Sequence, residues 1–373
     1  MTNTEYERLA LTGGINLSDG HARLPLDTRQ REIIHSLPDL FHEIDRANQE
    51  SLETSFLRAF FDLCGQPSAL RSAGLHLSFS ASSGLKIIAQ TCRRQGLRVL
   101  LIEPVFDNIR HFLEFEEVTV SAVSECSLRA LERLVWPSGK AALWLVLPNN
   151  PTGFCLSEAE FRAVVAQCRG RNCALIVDAS FRPHSEAMLG WDMYDVLQTG
   201  GVEHMVVEDT GKTWSLHDIK VGVTAASAGF AEDLHVLHDQ LLLHVSPLHL
   251  AVLTRFVVDS RERGLDATIR STVRRNRGVI HELVRSDGYE HHGDCANVPL
   301  ELLGVPAGMT AHSFWAACRD VGVEVLPAQN YYWSSARGHR LFRVPLARPT
   351  EDLINARDLL HRVRMTGETR SRA

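Results

Sequence analysis

Four short stretches place reactive side chains at the ends of apolar, β-branched runs. PNNPTG (148–153) follows AALWLVL, Asp178 ends ALIV, EDTGK (208–212) follows HMVV, and Lys220 lies eight residues beyond Lys212. In open α/β sheets ligands bind outside the carboxyl ends of the strands, so groups delivered there by three strands can converge on one ligand. The set suits pyridoxal phosphate. Lys212 can form an imine with its aldehyde. Asp178 can face the pyridine nitrogen and keep it protonated, so that the ring acts as an electron sink. Asn150 can hydrogen-bond the phenolic oxygen. The phosphate needs backbone donors at a helix start and a cation. A P-loop reading of EDTGKT fails, because position 206 is Val206 and not the glycine that GxxxxGK requires. Taken singly, these features are an ordinary turn, a helix cap and a surface lysine; the argument rests on their combination.

The elements that must position them alternate. Strands are expected at 98–104, 117–123, 141–149, 174–180, 204–210 and 221–227, with helices over 83–94 and 157–169 between them. Most of the strand runs lack period-two alternation, which implies burial on both faces of a parallel sheet. Ser157 and Glu160 form a capping box. Beyond residue 230 the texture changes to long helical stretches (231–262 and 265–286), short strands at 323–328 and 341–346, and a last helix from Thr350 to about Met365. A helix is expected over 27–49, and the tail TGETRSRA is read as unstructured. The fold class is therefore α/β: a large domain (51–255), a smaller α+β domain (26–50 with 256–373), and an N-terminal arm (1–25).

The chain has 373 residues, 45% hydrophobic and 23% charged, with a net charge of -6. These are globular values, and no basic field would hold a nucleic acid or an anionic membrane. No apolar run reaches the roughly 18 residues of a membrane helix, and no secretory signal opens the chain. Eight scattered cysteines without a CxxC pair suggest reduced thiols and a cytoplasmic protein.

Asn150, Asp178 and Lys212 stand 28 and 34 positions apart. This spacing resembles the aspartate-aminotransferase superfamily, fold type I of the pyridoxal-phosphate enzymes. The resemblance implies more of the site. Ser80, Ala81 and Ser82 would form the phosphate loop, and Lys220 would take the place of a phosphate-binding arginine. Phe106 would stack on the pyridine ring. Ser180 would donate to the phenolic oxygen in place of a tyrosine, since position 181 is Phe181. Arg343 would bind the substrate α-carboxylate, with Arg348 as the alternative. A homodimer with sites at the interface is implied, with HVSPLHL (244–250) reaching the partner's cofactor.

INLSDGHAR (15–23) and VVEDTGKTWSLHDIKVG (206–222) carry a narrower resemblance. They are similar to the pyridoxal-phosphate-dependent L-arginine oxidases and hydroxylases of guanidino-amino-acid antibiotic pathways, of the enduracididine-pathway arginine hydroxylase type. FDNI (106–109) and PNNPTG match as well. Ala81 interrupts a row of serines, and Ser215 stands where proline is expected. The resemblance implies that the arm closes over arginine, with Thr4, Glu7, Asp19 and Asp209 among the substrate contacts and His21 in the lid handling water or its proton. L-Arginine and O2 would be the substrates. The products would be 4-hydroxy-2-oxo, 2-oxo or dehydro derivatives with ammonia and peroxide, formed without a metal. Rival readings are an ordinary aminotransferase of a basic amino acid, a non-catalytic pyridoxal-phosphate sensor, and a metal protein built on HHGDC (291–295) or His235/His238. No complete metal-ligand set supports the last.

Overall fold

The apolar runs become strands. The computed structural model describes residues 1–371, with β1 (Ile15–Leu17), β2 (Gly74–Ser78), β3 (Arg98–Glu103), β4 (Val120–Ser124), β5 (Ala141–Val146), β6 (Cys173–Asp178), β7 (His204–Asp209), β8 (Gly222–Ala226), β9 (Leu300–Gly304), β10 (Val323–Pro327) and β11 (Leu341–Pro345). Seven of them form one sheet in the order β2-β8-β7-β6-β5-β3-β4. β7, β6, β5, β3 and β4 run parallel, while β8 and β2 are antiparallel to their neighbours. Every residue of β5, β6, β7 and β8 is buried. That is why these runs are apolar throughout and do not alternate.

The reversal at β8 matters for the site. Gly222, the first residue of β8, pairs with Asp209 at the end of β7 and with Ser78 at the end of β2. The chain leaving β2 therefore enters its helix at the same sheet edge as the ends of β5, β6 and β7. A second sheet has the order β1-β10-β11-β9. The arm supplies its edge: Ile15–Leu17 runs parallel to Val323–Val325.

The leading helices are α1 (Asn3–Ala10), α2 (Thr28–His35), α3 (Leu37–Ile44), α4 (Gln49–Leu63), α5 (Ala81–Gln95), α6 (Asp107–Phe115) and α7 (Glu158–Gly170). α7 opens on the expected capping box: Ser157 N–H donates to Glu160 at 2.8 Å, and Glu160 N–H returns to Ser157 Oγ at 3.3 Å. Three expected helices are broken. The stretch 27–49 divides at Ser36, with Pro38 in the first turn of α3. The stretch 231–262 divides into Ala228–Asp239 and Pro247–Arg263. Proline lacks an N–H and is tolerated only in a first turn, so a new helix starts there. The stretch 265–286 begins with a π-turn at Asp266–Arg270 before Ser271–Asp287. The last helix runs from Thr350 to Ser371, so the expected unstructured tail is helical that far; Arg372 and Ala373 lie outside the described residues. Among the described residues no helix is long and apolar enough to cross a membrane.

Candidate active site

A cavity of about 270 Å³ opens at this edge. Lys212, Lys220, Asp178, Asp209, Asn150, Ser180, Phe106, Arg343 and the Ser80–Ser82 loop line it, and Thr4, Glu7 and His21 of the arm join them. Of the residues singled out in the sequence as direct contacts, Asp19 and the alternative Arg348 are not on the wall.

Asp178 ends β6 and is buried. Its Oδ1 accepts from the Ser180 amide at 2.9 Å and the Ser180 hydroxyl at 2.5 Å. Burial pushes its carboxyl up to about 6, against the pull of those bonds and of Lys212. The Ser180 hydroxyl is thus spent on Asp178 and not directed to a ring oxygen as expected. Lys212 Nζ lies 5.9 Å from the Phe181 ring centroid. The Lys212 segment is fixed from two sides. His184 Nε2 donates to the Lys212 carbonyl at 2.9 Å, and Trp214 Nε1 donates to Ser260 at 2.9 Å. Burial holds His184 near 4, well below the usual histidine value, so it is neutral.

Ser80 caps α5, with its Oγ accepting from Ser83 N–H at 3.4 Å. A Cβ on Gly222 would lie 2.4 Å from the Ser80 carbonyl carbon and 2.6 Å from the Ala81 nitrogen. Only glycine lets β8 approach this loop so closely. The Asp209 carboxylate spans the gap, accepting from Ala81 N–H at 3.2 Å and Gly211 N–H at 2.6 Å. An anion thus already sits on the α5 start, where the helix dipole favours one. With Lys220 on the same wall, the cradle fits a phosphate.

Arg343 is fully buried. Its Nη1 donates to the Tyr331 hydroxyl at 2.8 Å and to Asn150 Oδ1 at 3.3 Å, and its Nη2 donates to Glu7 at 3.0 Å and to the Ser18 carbonyl. Nε is buried without a partner among the described residues. Burial works against the charge, yet Tyr331 and Glu7 keep the pKa above the ordinary arginine value. Glu7 therefore stands on the guanidinium that the sequence assigned to a substrate carboxylate. The arm is pinned elsewhere too: Asn3 N–H donates to Asp107 at 2.8 Å, Tyr6 Oη meets His312 Nδ1 at 3.1 Å, and Leu24 N–H donates to Ser215 at 2.6 Å.

Two assignments are corrected. Asp19 is buried in the arm's own turn, with its carboxylate on His21 and Arg23, so it has no oxygen left for a ligand. Arg348 does not serve the cavity: its guanidinium donates to the carbonyls of Asn16, Asp19 and His21 and holds that turn. Sequence reasoning missed Tyr331 and His184. Tyr331 sits in a short turn after β10 with no motif around it, and only the fold brings its hydroxyl to Arg343.

The histidine clusters serve other ends. In HHGDC, Cys295 Sγ donates to the carbonyls of Pro151 and Thr152 at 3.6 Å, backing the PNNPTG turn. His281, His291 and Glu301 each bring one ligand atom within 4.8 Å of the others, but buried Glu301 is already paired with Arg277. His235 and His238 stack with His76, at 5.6 and 4.8 Å between centroids.

The family described as aminotransferase class I and II matches residues 13–358. Among solved structures, that of MppP soaked with the product 2-ketoarginine is 29% identical, covers 95% of this chain and 99% of that one, and superposes with a TM-score of 0.87. Aspartate aminotransferase from Thermus thermophilus with maleate covers 97% and 96%, with a TM-score of 0.78 at 15% identity, which speaks for the fold alone. The architecture is the aspartate-aminotransferase-like fold type I. Among curated proteins, histidinol-phosphate aminotransferase 2 of Caulobacter vibrioides is 27% identical over 46% of this chain, and probable N-acetyl-LL-diaminopimelate aminotransferase of Bacillus subtilis is 21% identical over 68%. The matched parts span 43% and 65% of those relatives' length.

Proposed function

Since the chain belongs to the aminotransferase class I and II family, whose cofactor is pyridoxal phosphate, we propose that it is an O2-dependent oxidase or hydroxylase of L-arginine. The products are 4-hydroxy-2-oxo, 2-oxo or dehydro derivatives, with ammonia and peroxide. The observation that carries this reading is one cavity lined by a buried guanidinium, Arg343, and two carboxylates, Glu7 and Asp209, under the N-terminal arm. Such a cavity suits an amino acid with a cationic end, because a buried cation needs paired carboxylates. The likeness to MppP, whose structure was determined with 2-ketoarginine as product, supports the same reading.

Bound pyridoxal phosphate supplies an electron sink. Lys212 would hold it covalently and move the Cα proton. Asp178 would face the ring nitrogen, Asn150 the phenolic oxygen, and Phe106 the ring. Ser80, Ala81, Ser82 and Lys220 would hold the phosphate. Arg343 takes the α-carboxylate in a fork once Glu7 leaves it, and Thr4, Glu7 and Asp209 take the guanidinium. The arm, residues 1–25, excludes water while the substrate reacts; residues 51–255 form the large domain, and 26–50 with 256–373 the smaller one.

The curated relatives are aminotransferases and favour a second reading, transamination; a basic amino acid as its substrate rests on the same cavity carboxylates. Oxygen-electrode measurements with arginine, lysine and ornithine, with products weighed by mass spectrometry, decide between them. O2 uptake with arginine and no keto-acid requirement is expected. Turnover that depends on a keto acid and consumes no O2 would leave the transaminase reading.

A further inference from the structure

We propose that Asp19 is a positioning residue: it fixes, beside Lys212, the ring of His21, the lid histidine to which the family resemblance already gives a proton-handling role. The inference deepens the oxidase reading and rests on it for the reaction, though not for the dyad itself.

The turn between β1 and Arg23 is built around one carboxylate. Asn16 Oδ1 accepts from the Ser18 and Asp19 amides, both at 3.1 Å, and sets the turn. Asp19 Oδ1 accepts from the His21 amide at 3.0 Å and meets His21 Nδ1 at 2.6 Å. Asp19 Oδ2 receives the Arg23 fork at 2.9 and 2.8 Å. Arg348, itself buried, holds the backbone of the same turn by three carbonyls. Burial works against the Asp19 charge. The His21 bond and the charges of His21, Lys212 and Arg348 outweigh it and hold the carboxyl well below the usual carboxylate range.

The turn is registered to the lysine segment. Ala22 N–H donates to the Gly211 carbonyl at 3.0 Å, and Leu24 N–H to Ser215 at 2.6 Å. A Cβ on Gly211 would stand 3.1 Å from His21 Cδ2. The Cδ2–Nε2 side of the ring therefore lies against the residue preceding Lys212, on the cavity wall. With an ionised carboxylate on Nδ1, the neutral ring carries its proton there and leaves the Nε2 lone pair to act as a base. A proton taken at Nε2 from a substrate carbon or a water gives an imidazolium opposite Asp19, and the proton then passes to solvent; no electrons change hands. This arrangement explains why a buried acid and a fully buried arginine are invested in a six-residue turn (18–23) that contributes a single side chain, His21, to the chemistry of the cavity.

The test compares the holoenzyme with Asp19→Asn, His21→Ala and the double variant. Long-range ¹H–¹⁵N NMR on histidine-labelled protein should find His21 as the Nδ1–H tautomer, and Asp19→Asn should convert it to Nε2–H; an Nε2–H tautomer in the wild type overturns the dyad whatever the reaction proves to be. With arginine and O2, Asp19→Asn should keep the yellow cofactor and move product toward the plain 2-oxo acid by on the order of tenfold. The double variant should match His21→Ala, because Asp19 acts through His21. Losses that multiply in the double variant, or an unchanged product ratio in Asp19→Asn, would remove the positioning role. If wild type consumes no O2, the oxidase reading fails separately, and the tautomer still decides the dyad.

Discussion

Asp178 is a carboxylate kept in a buried place, and burial raises its pKa from 3.8 to about 6. The group binds its proton more tightly folded than unfolded. The stability it contributes is complete below pH 3.8 and is lost as pH rises through 6. Above that the cofactor-free protein carries an ionised buried acid at a cost on the order of 2–3 kcal/mol. Asp178→Asn should therefore raise the melting temperature of the cofactor-free protein by several degrees at pH 8 and leave it unchanged at pH 4; equal gains at both pH values would contradict this account. Lys212→Ala should abolish the borohydride-reducible cofactor linkage, with the reduced group in wild type mapping to the Lys212 peptide; recovery on Lys220 instead would reverse the two lysines. Residues of this kind were legible in the sequence because each ends a strand inside a short motif. Tyr331 and the duty of Arg348 were not. Tyr331 meets Asn150 from 181 positions away, and Arg348 meets Asn16 from 332. No local pattern encodes such pairs.

At the scale of elements, strands were easier to place than helix breaks. β5, β6, β7 and β8 announce themselves by unbroken apolar runs, whereas Pro38 and Pro247 lie inside continuous helical periodicity although each stands in the first turn of a new helix. The family resemblance implies that the arm is a lid, but its Ile15–Leu17 segment is also an edge strand on β10. This changes how the arm should be tested. Deleting residues 1–22 would strip the sheet edge as well as the lid. Deleting residues 1–12 keeps β1 and removes Thr4 and Glu7. That shorter deletion should leave the yellow colour, cut discrimination between arginine and uncharged amino acids at least tenfold in kcat/KM, and reduce hydroxylated or unsaturated product. Glu7→Gln should reproduce the loss of discrimination alone, because an amide on Arg343 is easily displaced by any α-carboxylate and offers no charge to a guanidinium. Unaltered discrimination in both variants would make the arm a strap and nothing more.

For the whole molecule, the surface holds apolar groups that the single chain does not cover. Leu243 is 91% exposed and Leu241 59%, both in the connection between helices Ala228–Asp239 and Pro247–Arg263. His238, at the end of the first of these helices, bonds the Leu77 carbonyl at 2.7 Å, two residues before Phe79, which is 52% exposed and adjoins Ser80 at the cavity. Leu241, Leu243 and Phe79 are exposed apolar groups of the kind a two-fold partner would bury, and closed two-fold dimers are the commonest assembly. Burying a leucine is worth about 1.5–3 kcal/mol, so two of them on each partner matter to an interface of ordinary size. Sedimentation velocity should therefore show a homodimer. Leu241→Glu with Leu243→Glu should weaken it by at least tenfold, about 1.4 kcal/mol. Because Phe79 precedes the phosphate-loop serine, the same double variant should also lower cofactor affinity at concentrations where it dissociates, and recover it at higher protein concentration. A wild-type monomer with full activity, or a double variant that dissociates without any change in cofactor retention, would separate these leucines from the site.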